Sequence, residues 1–526
     1  MKKFYLLLFT TSVCVLGFGQ KTTGNFNGSF ETYNQIYRKD LKIGAVLPPD
    51  RVGSNNYLKL DYNYSQFTVG VQLEAYLPST QGYPFIANDN KIANKYFKYT
   101  ATNFSLQVGD FYEQFGSGLV FRSWENRQIG INNSIEGANF QITPLPFIKL
   151  KTIYGRQRNN FNYNNSNIRA IDAEIDFSKI NAINSPTKVV AGFSYVSRYE
   201  PYTGPIQNFP ATVKATSTRL DLSGANTSFS VEYVHKKRDP HAANNFVGTP
   251  GKALLSNFTF TQNNFGATAT FRAMSNMDFR SEREATGSAS LMNYIPALTK
   301  QHDYLTTNIY VYNAQRQAEV GGQTDWFLYA PKGSSLGGKY GSNFSMNFSH
   351  YRGLKNASNI FSVGNKEYFH DFNLEWKKKL TENLSFILVY QNVFYNRLVI
   401  EGEPLPDVKA NTIVLNSIYK YAKKKTFRFE LQHLATQQDK GNWVALLTEF
   451  SFAPKFTFYW NDLYNYGTTN THYQTVGGSY SKSGTRLGLS YGRQRAGLFC
   501  VGGVCRYVPA SSGFTVMLNT TLHNKQ

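Results

Sequence analysis

The feature that most constrains this chain is alternation. Along residues 67–77 one face reads Phe67, Val69, Val71, Leu73, Ala75 and Leu77, and the other Thr68, Gly70, Gln72, Glu74 and Tyr76. The pattern returns at 265–274, at 486–495 and at 514–523. An extended strand places successive side chains on opposite faces, whereas a helix cannot gather such sets on one side. The chain is therefore expected to be all-β. Aromatics at 16%, with 36 Tyr and 41 Phe, exclude disorder. Only 17% of residues are charged, and mean hydropathy is −0.40. Past the N-terminus there is no apolar run of about 18 residues, the length a membrane helix needs.

A soluble sandwich also alternates, so three further features decide between architectures. The polar faces carry Gly, Ser, Thr, Asn, Gln and charges over many strands, which suits a wet lumen. The apolar faces end in aromatics, as at Tyr195, Tyr233, Trp376, Tyr390 and Tyr419, the girdle of a membrane interface. Connections alternate in length. Short turns fall near 64–67, 100–103, 143–146, 224–227, 381–383, 422–425, 453–455 and 482–484. Long polar loops lie between them, at 78–93, 116–136, 159–167, 200–210, 239–251, 275–299, 396–407 and 497–512. These features predict a single large antiparallel transmembrane β-barrel with an even number of strands, about 22–24, spanning residues 20–526. Residues 315–341 break the pattern and read as a short strand or an irregular segment. No separate plug domain is expected before the first strand, placed at 25–37. A barrel of this size has room for an aqueous channel unless something fills it.

Lys2 and Lys3 precede an apolar stretch from Phe4 to Phe18, with small Gly17 and Gly19 before Gln20. This reads as a signal peptide over residues 1–19. The mature chain keeps Cys500 and Cys505, within Cys-Val-Gly-Gly-Val-Cys. In an exported chain two cysteines favour a disulfide, and no His is near enough for a metal site.

Three constellations carry charge. Lys149 and Lys151 share an inward face opposite Asp172, Glu174 and Asp176 on the next strand, which predicts a ladder of opposite charges. That ladder is a wall device or part of an ion-selective constriction. Residues 109–137 combine aromatics with Asp110, Glu113, Arg122, Glu125 and Arg127. A loop this apolar is expected to fold into the barrel mouth as a constriction, or else to stand above the membrane as extended strands. Tyr-Gly-Arg-Gln-Arg occurs twice, placing Arg156, Arg158, Arg493 and Arg495 at the outer rim. There they are solvated charges or contacts to lipopolysaccharide phosphate.

Catalytic motifs are missing. Ser117 lies in Phe-Gly-Ser-Gly-Leu, not a nucleophile elbow. The eight His have no metal-ligand spacing, and no phosphate or dinucleotide loop is present. No cofactor and no enzyme activity are expected. The net charge of +21 is scattered through strands, so nucleic acid is not an expected partner.

The segments at 108–119, 154–158, 331–341, 491–495 and 500–509 resemble an uncharacterised family of Bacteroidota outer-membrane barrel proteins. The resemblance implies the outer membrane of a Gram-negative, Bacteroidota-type bacterium, with lipid and lipopolysaccharide as partners, and transfers no functional residue. The expected function is a passive or gated channel for small, preferentially anionic solutes, since a basic lumen would favour anions. The alternative is a non-transporting barrel subunit or scaffold of a larger envelope or secretion complex, with envelope proteins as partners.

Overall fold

The computed structural model describes residues 24–85, 87–180, 186–202, 209–501 and 504–523. The expected signal segment lies outside them. Twenty-four antiparallel strands form one closed barrel. The first, Asn25–Tyr37, pairs with Val52–Tyr64 on one side. On the other it pairs with the last, Ser511–His523, in a ladder from Asn27↔His523 to Tyr37↔Gly513. Every other barrel strand pairs with its neighbours in the chain. Closure leaves no free edge and satisfies every ladder of backbone groups within the sheet.

The alternation sets which face looks out. Val69, Leu489 and Phe514 are half exposed, while their inward neighbours Gly70, Gln72 and Glu74 are buried. The outward residues form an apolar surface around the barrel, far larger than a water-soluble surface carries. Aromatics collect at its short-turn end. Phe67 lies 5.7 Å from Phe97 and 5.0 Å from Tyr99, and Phe344 stacks on Trp376 at 6.0 Å. This is the outer surface of a barrel that sits in a bilayer.

The irregular stretch expected at 315–341 is different in the structure. It holds a full strand, Ala318–Ala330, and a loop at 331–341 on the short-turn end. Gly321 and Gly322 hid the strand by interrupting its apolar pattern. Their backbones pass so close to the neighbours that a Cβ would stand 2.1 Å from the His350 oxygen and 2.2 Å from the Thr270 oxygen. Glycine there is a packing requirement rather than a break.

A second tight place fixes the barrel beside the first inward loop. Gly109, Gly137 and Gly155 lie side by side on three adjacent strands. A Cβ on Gly137 would meet the Tyr154 carbonyl oxygen at 1.9 Å. Replacing Gly137 by Val should therefore push the two strands apart and lower the yield of folded barrel. Loss of the compact, heat-sensitive band in semi-native electrophoresis would report it, and an unchanged band would refute the close approach.

Candidate functional site: the filled lumen

Toward the long loops, the inward faces of the wall change character. Strand Thr212–Ser223 carries Asp221, Arg219 and Ser217 inward, then Ala215 and Val213. Strand Thr227–Lys236 runs from Ser230 and Glu232 to Val234. The polar part faces space and the apolar part faces protein. Glu174 is 34% exposed, whereas Asp172, one inward step nearer the long loops, is 2% exposed.

Residues 112–134 turn inward and pack there. Phe115, Leu119, Val120 and Phe121 are fully buried against Ile153, Val196 and Val234 of the wall. The charges of this loop bind it to the barrel. Glu113 accepts from Lys151 at 2.7 Å and from Gln141 at 2.7 Å. Arg127 pairs with Glu31 at 2.8 Å and with Glu125 at 3.0 Å. Asp110, at the end of its strand, accepts from the Lys95 amide and the Tyr163 hydroxyl. Arg122 stacks on Tyr294 at 4.2 Å and on Trp124 at 4.9 Å. This loop thus occupies the barrel mouth rather than standing above it.

A second and larger inward segment connects strands Phe265–Ser275 and Ala318–Ala330. Sequence reading took 275–299 for an external polar loop, and the structure corrects this. Residues 276–317 cross the lumen and bind wall residues on both sides. The Leu291 carbonyl accepts from Gln157 at 2.7 Å, and the Arg280 carbonyl accepts from Arg198 at 2.7 Å. The Leu298 carbonyl accepts from the Tyr351 hydroxyl at 2.5 Å. Thr306 donates to Gln432 at 2.8 Å, and Lys300 to Asn373 at 2.6 Å. Met277, Phe279, Met292 and Ile295 fill the apolar side of this contact. Within it, burial favours a protonated Asp278, but Arg316, Arg280 and His241 hold its carboxyl below the usual range. Where the segment rejoins the wall, Arg272 and Glu319 form a pair with no exposed surface, 2.5 Å apart. Glu319 also accepts from the Gln315 amide at 2.7 Å and from the Tyr312 hydroxyl.

The third element is a hairpin, Gly497–Val501 with Val504–Val508. Cys500 faces Cys505 across it, and the two are joined by a disulfide with Cα atoms 4.0 Å apart. Val504 packs on Ile129 and Ile131 of the first inward loop, and Arg506 donates to the Gly82 carbonyl at 2.5 Å.

Between the crossing segment, the hairpin and the last strands lies a cavity of about 710 Å³. Tyr304, Tyr310, Tyr473, Lys300 and His302 line it, with Arg493 and Arg495. His302 bonds Asp371 at 2.5 Å, and Gln391 completes this cluster. The third partner is an amide, not a hydroxyl nucleophile. Arg493 is neutralised by Asp40 at 2.6 Å. Among the described residues Arg495 bonds only carbonyls, Asn308 at 3.2 Å and its neighbour Ala496 at 3.3 Å. Burial draws its guanidinium below the ordinary value, although Tyr310, Tyr473 and Asp439 oppose that shift. A second cavity of about 240 Å³ adjoins, sharing Thr475, Arg493 and Gln494 with the first.

The model of a family described as "Family of unknown function (DUF6029)" matches residues 1–522. The chain belongs to this family. No curated protein matches it. Among solved structures, this DUF6029 chain is similar to the P pilus usher (PapC) translocation pore. The two are 9% identical with a TM-score of 0.45, over 96% of this chain and 100% of that one. It is also similar to the siderophore receptor PirA from Pseudomonas aeruginosa, at 8% identity and TM-score 0.41, over 96% and 81%. A third is Pseudomonas aeruginosa OccK3 (OpdO), at 12% identity and TM-score 0.37, over 78% and 96%.

In this DUF6029 chain the expected rim and wall residues are distributed differently from the sequence reading. Arg156 stays outward and half exposed, paired with Glu136 at 3.1 Å. Arg158 does not reach the rim surface. It is 3% exposed and clamps Glu74 at 2.7 Å, inside the barrel, because its long side chain turns inward to a buried carboxylate of the non-adjacent strand Phe67–Tyr76. Arg493 and Arg495 line the first cavity, and Arg493 the second as well. The register of the ladder is as expected, Lys149↔Glu174 and Lys151↔Asp172, but the pairs are not. Arg219 takes Asp172 at 2.8 Å and Glu174 at 2.9 Å, both through Nη2, while its Nη1 donates to Ser194. Lys151 turns to Glu113. Asp176, at the strand end, faces Lys179 and Lys188. Sequence reading missed 276–317, although Met277, Phe279, Met292, Ile295, Tyr304, Tyr310 and Tyr312 are too apolar for a loop in water.

Two outcomes are expected. Glu319→Ala leaves Arg272 without a counter-charge in a dry place, a loss of about 3–5 kcal/mol. Residues 276–317 should then become cleavable by added protease while the barrel still migrates as folded; continued resistance would argue against this anchor. Reducing Cys500–Cys505 should expose the hairpin to protease yet leave the barrel closed, since the hairpin pairs only with itself. Unfolding of the barrel on reduction would contradict that independence.

Proposed function

We infer that this chain is an outer-membrane barrel that acts as a gated channel for a small polar solute, shut at rest by its own segments. A closed antiparallel barrel with an apolar outer belt and polar lower lumen supports the outer-membrane location. The observation that carries the gating is the course of residues 276–317, which cross the lumen and are hydrogen-bonded to opposite walls. The two adjoining cavities run along the last strands and the first, where this segment leaves space. The disulfide hairpin lines the larger of them.

The anion preference rests on the cavity rather than on the wall. Several charges inside the lower lumen are paired, as in Lys59 with Asp61 at 3.5 Å, Lys300 of the crossing segment with Glu375 at 3.6 Å, and Arg428 with Glu430. Paired charges set up little net field. Arg495, which reaches no described carboxylate, is the group that would meet an anionic solute. Arg156 remains the candidate contact to lipid phosphate. This reading needs no catalytic residue and no cofactor.

The filled lumen also favours a second reading, a barrel subunit that transports nothing. Planar-bilayer conductance separates the two. The intact protein should be closed with brief openings, and replacing residues 278–314 by a short flexible linker should give a large, steady conductance. A wide open intact barrel would contradict the gate. A linker variant that stays closed would remove the channel and leave the scaffold.

A further inference from the structure

The basic surplus of the sequence is concentrated on one arc of the short-turn rim. The loop at 331–341 carries Lys332 and Lys339. The next turn is flanked by Lys377, Lys378 and Lys379, and the one after it by Lys420, Lys423, Lys424 and Lys425. Lys455, Lys482 and Arg486 continue the arc. These turns join neighbouring strands from Ala318–Ala330 to Thr485–Gln494, so the arc is continuous. Glu382 is the one carboxylate in these turns. Nearly all the cations are exposed, and no ion pair links them to a described carboxylate. The other half of the same rim is sparser in cations, with Lys98 and Lys149 beside its turns. Its turns at 65–66, 101–103, 224–226 and 263–264 hold no charge, and Lys179 and Lys188 face Asp176.

We propose that this arc is a docking surface for an acidic soluble protein on the periplasmic side of the membrane. Two features favour a protein over lipid headgroups. Lipid surrounds a barrel evenly, but the cations occupy one arc. Lys377, Lys379, Lys420 and Arg486 also share the inward face with Glu375, Ile418 and Gly488, and so border the lumen mouth, which headgroups outside the wall do not reach. A partner held there would sit under the polar lower lumen. Unpaired, exposed charges of one sign speed encounter and choose the partner's sign, and they weaken with salt.

The proposal rests on the outer-membrane reading, in which short turns face the periplasm. The test uses the full barrel in phosphatidylcholine nanodiscs, with a fluorescent oligoglutamate peptide as probe. The peptide should bind at low salt, and replacing Lys377, Lys379, Lys420 and Arg486 by Gln should weaken binding about tenfold. Replacing Lys39, Lys42 and Arg51 by Gln, on the opposite rim, should change nothing. Equal losses in both variants, or no binding at all, would overturn the proposal. So would capture by phosphatidylglycerol vesicles that depends on Lys378, Lys425 and Lys482 instead, which would assign the arc to lipid. Orientation is read separately. Lys424→Cys should react with an impermeant maleimide only after the outer membrane is permeabilised. Reaction in intact cells would defeat the orientation alone, and correct labelling without peptide binding would defeat the docking surface alone.

Discussion

Everything in this structure depends on the ladder between the first strand and the last. In a bilayer each unpaired backbone group costs several kcal/mol. A sheet with free edges at Asn25–Tyr37 and Ser511–His523 would leave two rows of such groups in lipid. Their pairing, from Asn27↔His523 to Tyr37↔Gly513, removes both rows. Once the sheet closes, the alternation becomes an inside and an outside. The aromatics of the sequence then belong mainly to lipid and girdle. The polar halves of the strands belong to the lumen.

Closure creates a second problem, since a barrel this wide has space inside it. This chain fills the half nearest its long loops. The inward faces there turn from charged and hydroxyl residues to Val196, Val213, Ala215, Val234 and Ala253, all buried. Two inward segments, 112–134 and 276–317, supply the matching apolar surface. Their polar groups are bound as well, by carbonyl contacts to Gln157, Arg198 and Tyr351 and by ion pairs at Glu113, Arg127 and Glu319. A dry apolar contact with satisfied polar groups is a stable closed state. The cavities beside the last strands are where it is incomplete.

The sequence made the wall legible because period two is a local property. Strand faces, the even count, the turn lengths and the Lys149–Glu174 register all follow from residues close in the chain. The inward course of 109–137 was readable from its aromatic content. What remained hidden depends on distant partners. Arg158 looks like a rim residue until Glu74, from a strand far away in sequence, is placed beside it. Arg219 takes the carboxylates opposite Lys149 and Lys151 only once its strand, two places along the wall, is in place. The strand at Ala318–Ala330 was masked by glycines whose need arises from His350 and Thr270. Residues 276–317 have no period at all, and the polar residues among them outweighed Met277, Phe279 and Met292.

The central claim is that residues 276–317 lie within the barrel, across its lumen. Thr306 and Gln432 meet there through a hydrogen bond of 2.8 Å. Paired replacements Thr306→Cys and Gln432→Cys should cross-link spontaneously in outer membranes, as read by mass spectrometry of the digested barrel, and neither thiol should react with an impermeant reagent added to intact cells. Two free thiols that label from outside would mean that the segment stands above the barrel, and the account of a closed lumen would fall.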